Sequence, residues 1–97
     1  MKNIFAVLLV LIASQAVAEP NMEKYNKSCV ICHAAGVANA PKTGDPAGWE
    51  PRLAKGMDVL VKSVETGLNA MPPKGMCFDC TPEEVEALIV FMAQPAQ

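Results

Sequence analysis

Cys29-Val30-Ile31-Cys32-His33 decides how this chain is read. Two thiols three residues apart, followed at once by an imidazole, form the attachment pattern of a c-type haem. Each cysteine can form a thioether to one vinyl group of the macrocycle. The adjoining histidine then lies under the iron as its proximal ligand. His33 is the one histidine in the chain, so no other imidazole competes for that place and ligation by two imidazoles of the same chain is excluded.

The second axial position separates electron transfer from chemistry at an open iron. Downstream of residue 20 the methionines are Met22, Met57, Met71, Met76 and Met92. Met57 and Met92 fall on apolar faces of helical patterns, where methionine is usually core filler. Met22 is too close in sequence to the attachment motif to reach the opposite haem face easily. Met71 stands in Asn69-Ala70-Met71-Pro72-Pro73-Lys74-Gly75, outside any helical period. A residue before proline is driven into an extended conformation, and the φ of proline itself is fixed. The segment is therefore a stiff strut, suited to holding one side chain towards the iron. Met76 is the runner-up, but it follows the flexible Gly75. A thioether ligand raises the reduction potential and fills the sixth position. That combination suits one-electron transfer, so the chain is expected to be no enzyme. The alternative is a haem-containing subunit, or a small peroxidase-like or gas-binding protein, with a labile sixth ligand.

With 97 residues the chain is one small domain, preceded by a leader. Lys2 supplies a positive start, Ile4 to Ile12 an apolar core, and Ala16-Val17-Ala18 a small-residue cleavage pattern. Residues 1–18 are expected to be a cleaved signal peptide and residues 19–97 the haem domain. The apolar stretch is well short of the ~20 residues a spanning helix needs, so the mature form is expected to have no stable membrane span. Export implies an oxidising compartment, here the periplasm. Without the leader, seven basic side chains face ten acidic ones, a formal charge of −3, which offers nothing to nucleic acid. The overall 52% hydrophobic content is inflated by the leader. A domain this small buries a limited core, and a large apolar macrocycle would supply much of the missing interior.

The pattern along the domain is all-α, with three or four short helices around a loop-rich centre. Asn21 caps a helix that runs from Met22 through Tyr25 towards the haem cysteines. Residues 34 to 48 are rich in alanine, glycine and proline, with no large apolar side chain beyond Val37, a composition suited to a loop wrapped on a cofactor. Trp49 to Lys55 reads as a short helix with Pro51 near its first turn. Met57, Leu60, Val61, Val64 and Leu68 repeat at helical spacing, and Gly67 provides a stop. Thr81-Pro82-Glu83-Glu84 carries an N-cap, a first-position proline and a glutamate in capping-box register, and Val85, Leu88, Ile89 and Met92 then line one face.

The pairs Cys29/Cys32 and Cys77/Cys80 also raise a tetrahedral zinc site. The interval between them is far longer than the ~15–20 residues of a compact zinc ribbon, and zinc gives no role to His33 or to Met71-Pro72-Pro73. A thioredoxin-like reading of either pair lacks the βαβ pattern it needs.

Across nearly the whole mature chain the sequence resembles the class I c-type cytochromes, and more narrowly bacterial cytochrome c5. The resemblance rests on Tyr25-Asn26-Lys27-Ser28-Cys29, the haem motif, Gly36-Val37, Ala40 to Asp45, Trp49 with Pro51-Arg52-Leu53, and Gly67 to Gly75. Cys77-x-x-Cys80 is its narrowest part. The resemblance implies a small class I cytochrome fold around one covalent haem c, with Cys29 and Cys32 as thioether positions and His33 and Met71 as axial ligands. It also implies terminal helices that cross beside the haem, a Cys77–Cys80 disulfide, and a Pro41 carbonyl that orients His33. Such a bridge is either structural or, because its ring is so small, strained and reducible. Trp49 and Arg52 are candidate donors to the haem propionates, with a core tryptophan beside a solvated arginine as the equal alternative. Tyr25 is expected to pack between the terminal helices. Lys27, Lys42 and Lys74 suggest a basic rim that steers redox partners, the donor and acceptor of a respiratory chain. The carrier itself is expected to be a monomer or weak dimer.

Overall fold

The computed structural model describes residues 18–96, so the leader reading for residues 1–18 lies almost wholly outside the described residues. The elements that follow are α1 (Met22–Lys27), α2 (Val30–His33), α3 (Pro46–Leu53), α4 (Met57–Thr66) and α5 (Pro82–Ala93), with 3₁₀ turns at Val37–Asn39 and Pro73–Met76. Among the described residues there is no strand, and one isolated bridge pairs Leu68 with Met71. Among the described residues five helices stand where three or four were expected, because the haem motif forms a turn of its own, α2, separated from α1 by Ser28 and Cys29.

Local chemistry accounts for most boundaries. The side chain of Asn21 accepts from the Lys24 N–H at 3.1 Å and starts α1. Thr81 and Glu84 form a reciprocal capping box at the start of α5, with Pro82 in the first turn. Gly67 stops α4 at φ 89°, a left-handed conformation that favours glycine. The start of α3 corrects the sequence reading. The helix begins at Pro46, after Asp45, and Pro51 lies inside it. Two prolines compete for the first-turn role here, and Pro46 holds it. Pro51 contributes no N–H to the interior of this helix of 8 residues.

The core runs along α5. Val85, Ala87, Leu88, Ile89 and Met92 are buried on it, joined by Tyr25, Trp49, Cys77 and Cys80. Burial of such a face is the main stabilising term, about 1.5–3 kcal/mol for each large apolar side chain. Tyr25 meets Phe91 edge-on, with ring centroids 5.2 Å apart, so Tyr25 packs between α1 and α5 as expected. Polar contacts reinforce that seam. Lys24 Nζ donates to Glu84 Oε1 at 2.9 Å and to the Asp79 carbonyl at 2.8 Å, and Asn21 Nδ2 reaches Glu84 Oε2 at 3.3 Å. The Lys24 ammonium holds the Glu84 carboxyl below the usual carboxylate range, and Glu84 in turn raises Lys24. On the other side α4 packs against α5 and the 73–76 turn, placing Leu60, Val61 and Val64 against the core edge.

Candidate functional site

The site starts where α1 ends. Ser28 is buried and turns its hydroxyl back to the Lys24 carbonyl at 2.6 Å. The chain then enters α2, with Cys29 at its N-cap and Cys32 three residues on. Residues three apart share a helix face, so both thiols open to the same side, and both are free and half-buried. Burial pushes the Cys29 thiol up, opposed by the Ser28 hydroxyl 3.6 Å away.

His33 closes the same turn. Its Nδ1 lies 2.7 Å from the Pro41 carbonyl. A carbonyl only accepts, so Nδ1 carries the proton and Nε2 keeps its lone pair for a metal. The ring stacks on Trp49, with centroids 5.5 Å apart and planes inclined by 23°. Its backbone carbonyl accepts from the Thr43 N–H at 2.8 Å. Ring and backbone are thus both held by the 41–44 segment.

These groups face a cleft of about 440 Å³, within the size range of cofactor sites. Cys29, Cys32, His33 and Pro41 line one part of it, and Leu60, Val64, Ile89 and Met92 give it an apolar wall. Met71 and Met76 both line the cleft as well. They are held differently. Met71 is half-buried and pinned by reciprocal backbone bonds with Leu68, at 2.9 and 3.0 Å. Met76 is 45% exposed and sits at φ 66°. Any side chain at residue 67 would place its Cβ 3.1 Å from both the Met71 carbonyl and the Pro73 nitrogen, so glycine is required beneath this loop.

Trp49 and Arg52 also line the cleft, but their donors are already directed elsewhere. The Trp49 N–H, the only one an indole has, is donated to the Lys42 carbonyl at 2.9 Å. Of the two readings given for it, the core residue is the one this arrangement favours: the side chain is 4% exposed. Arg52 donates to the Gly48 and Asn39 carbonyls at 2.7 and 3.3 Å, which leaves three of its five N–H groups free to meet a carboxylate. No lysine lines the cleft, so the expected basic rim is no part of its wall, and Lys27 is paired with Glu23 at 2.9 Å. Cys77 and Cys80 are bonded to each other and buried. They therefore cannot join Cys29 and Cys32 around zinc, and among the described residues no three His, Cys, Asp or Glu side chains cluster as metal ligands.

The residues fit a haem. Two thiols share one face, one imidazole has a free Nε2, the thioethers of Met71, Met76 and Met92 line the same cleft, and the rest of the wall is apolar enough for a flat macrocycle. Sequence reasoning took Leu60, Val64 and Ile89 for core; their helical period gave them an inward face without saying that it borders the cofactor. Thr43 was missed, because a backbone donor leaves no mark in the sequence.

Comparison with known proteins agrees. Residues 16–92 match a protein family described as cytochrome C oxidase, cbb3-type, subunit III. The chain is 52% identical over 65 residues to cytochrome c5 of Azotobacter vinelandii, covering 65% of this chain and 78% of that one. It is 45% identical over 69 residues to cytochrome c5 of Ectopseudomonas mendocina, covering 69% and 79%. A crystal structure of an electron-transfer complex of nitrite reductase with cytochrome c contains a chain that superposes with a TM-score of 0.70 at 40% identity, covering 80% of this chain and 95% of that one. The chain belongs to the class I c-type cytochromes, within them to the cytochrome c5 family, and is a small electron carrier with a covalently attached haem rather than an enzyme.

Proposed function

We propose that this protein is an exported, periplasmic one-electron carrier, its haem attached through Cys29 and Cys32 and ligated by His33 and Met71, which passes electrons between protein partners of a respiratory chain. Bound there, the haem supplies a one-electron iron couple. The observation that carries the reading is the Nδ1–Pro41 hydrogen bond of 2.7 Å, which fixes the tautomer of His33 and strengthens Nε2 as a donor to iron. Leu60, Val64, Ile89 and Met92 exclude water from the cleft wall. The backbone bonds to Leu68 and the two following prolines restrain Met71 against movement between oxidation states. Export is supported by the leader pattern of residues 1–18, with residues 19–97 as the mature domain. Among the described residues no helix is long and apolar enough to cross a membrane. The complex of a related cytochrome c with nitrite reductase illustrates the kind of partner such a carrier meets.

Visible spectra in both redox states test the ligation. The parent protein is expected to show the weak far-red band of ferric iron bound by a thioether. Met71→Ala should lose that band, bind added carbon monoxide and fall in potential, whereas Met76→Ala should keep all three properties of the parent. Retention of the band in Met71→Ala would overturn the assignment. Export is tested by mass: protein from the periplasmic fraction should begin at Glu19, and a full-length chain confined to membranes would refute it.

A further inference from the structure

Four consecutive residues, Pro41 to Gly44, bond through their backbone to three separate parts of the fold: His33, Trp49 and Met92. The Pro41 carbonyl accepts from His33 Nδ1 at 2.7 Å, and the Lys42 carbonyl accepts from Trp49 Nε1 at 2.9 Å. The Thr43 N–H donates to the His33 carbonyl and the Gly44 N–H to the Met92 carbonyl, each at 2.8 Å. The Thr43 hydroxyl accepts from the Tyr25 hydroxyl, also at 2.8 Å. The segment around them offers little to pack: residues 34 to 48 hold no large apolar side chain beyond Val37, which is itself half-exposed. Hydrogen bonds, not side-chain burial, therefore fix where the Pro41 carbonyl stands. The one side chain to side chain bond among them is Tyr25–Thr43. It is anchored on a tyrosine that is 7% exposed and braced edge-on by Phe91.

We propose that Tyr25 and Thr43 are positioning residues for His33, setting through the 41–44 segment the strength of its hydrogen bond to Pro41 and so the potential of the iron. The inference rests on His33 as the proximal ligand. A strong Nδ1–H···O=C bond gives the imidazole more anionic character and makes it a better donor to ferric iron. Loosening that bond favours the ferrous state and raises the potential. The direction is thus fixed in advance. The reduced-to-oxidised ratio at a fixed applied potential should rise by up to about fivefold, the factor that one hydrogen bond of ordinary net strength is worth.

The test uses the purified haem-loaded protein and four variants: Tyr25→Phe, Thr43→Val, Thr43→Ser and Phe91→Leu. Two readouts are taken beside the melting temperature: the potential by spectroelectrochemistry, and the shift and exchange rate of the His33 Nδ1 proton in the NMR spectrum of the reduced protein. Tyr25→Phe and Thr43→Val should both raise the potential, move the proton upfield and speed its exchange, and their double variant should do no more than either alone. Thr43→Ser, which keeps the hydroxyl, should restore parent values. Phe91→Leu removes the brace but neither hydroxyl, so it should lower the melting temperature with far less effect on the proton. If Tyr25→Phe behaves like Phe91→Leu, with lost stability but an unmoved proton and potential, the relay is refuted. Should Tyr25→Phe fail to fold, the contrast between Thr43→Val and Thr43→Ser decides alone. No haem-shifted imidazole Nδ1 proton in the parent would instead refute ligation by His33.

Discussion

Removing the Cys77–Cys80 bridge tests how the Met71 loop is tied to α5. The two cysteines are separated by only three positions, so the ring they close spans four residues. Loop-entropy scaling gives such a ring about 2 kcal/mol, near the low end for disulfides. For a domain of 60–100 residues each kcal/mol moves the melting temperature by roughly 4–8 °C. The double variant Cys77→Ala, Cys80→Ala should therefore melt about 8–16 °C below the parent. The corresponding serine pair should melt lower still, because both positions are buried, at 5% and 6% exposure, and an unpartnered hydroxyl there costs about 1–3 kcal/mol. The bridge is not alone in holding this loop: Lys24 grips the Asp79 carbonyl between the two cysteines. Lys24→Met should thus cost more in the alanine pair than in the parent, a coupling that a double-mutant cycle reads directly. The assay is a thermal melt of the holoprotein by circular dichroism, with the far-red thioether band followed in parallel. The band should survive at neutral pH in both variants. A fall in melting temperature below about 4 °C would refute the entropic account, and loss of the band would show that the bridge positions the ligand rather than only stabilising the fold.

Three further outcomes follow from the geometry. Gly67→Ala introduces a Cβ at φ 89°, 3.1 Å from the Met71 carbonyl, and should cost more than about 1 kcal/mol in denaturant melts while weakening the far-red band. Thr81→Ala breaks the capping box of α5 and should cost about 1 kcal/mol with the band unchanged. The pH profile should carry the mark of Lys24 and Glu84. Glu84 lies below its ordinary value when folded, so its contribution is present above the carboxylate range and lost as pH falls through the lowered folded value. Lys24, raised when folded, contributes below its ordinary value and loses that only at strongly alkaline pH. Lys24→Met should accordingly flatten the acid limb of stability against pH and leave the neutral-to-basic region nearly level.

Where the chemistry is local, the sequence was readable. The haem motif, the α5 capping box and the Asn21 cap each depend on residues within four positions of one another, and each was legible. The α3 start was not, because Asp45-Pro46 and Pro51 both carry first-turn signals and only packing chooses between them. The left-handed residue Ala38, at φ 51°, was hidden for a different reason: alanine carries no bias toward that conformation, and the loop imposes it. Trp49 shows the limit most clearly. Its type and position allowed either a propionate donor or a core residue, and its N–H here goes to a backbone carbonyl seven residues away. Backbone partners of this kind have no signature in side-chain identity.

The seam between α1 and α5 also bears on vectorial synthesis. Tyr25 and Lys24 find Phe91 and Glu84 more than fifty residues downstream. A chain delivered N-terminus first cannot assemble this seam until α5 has emerged. Through all that interval Cys29 and Cys32, which follow α1, sit on a segment without this seam. The fold thus leaves open, until late in synthesis, the period in which an assembly factor can reach both thiols.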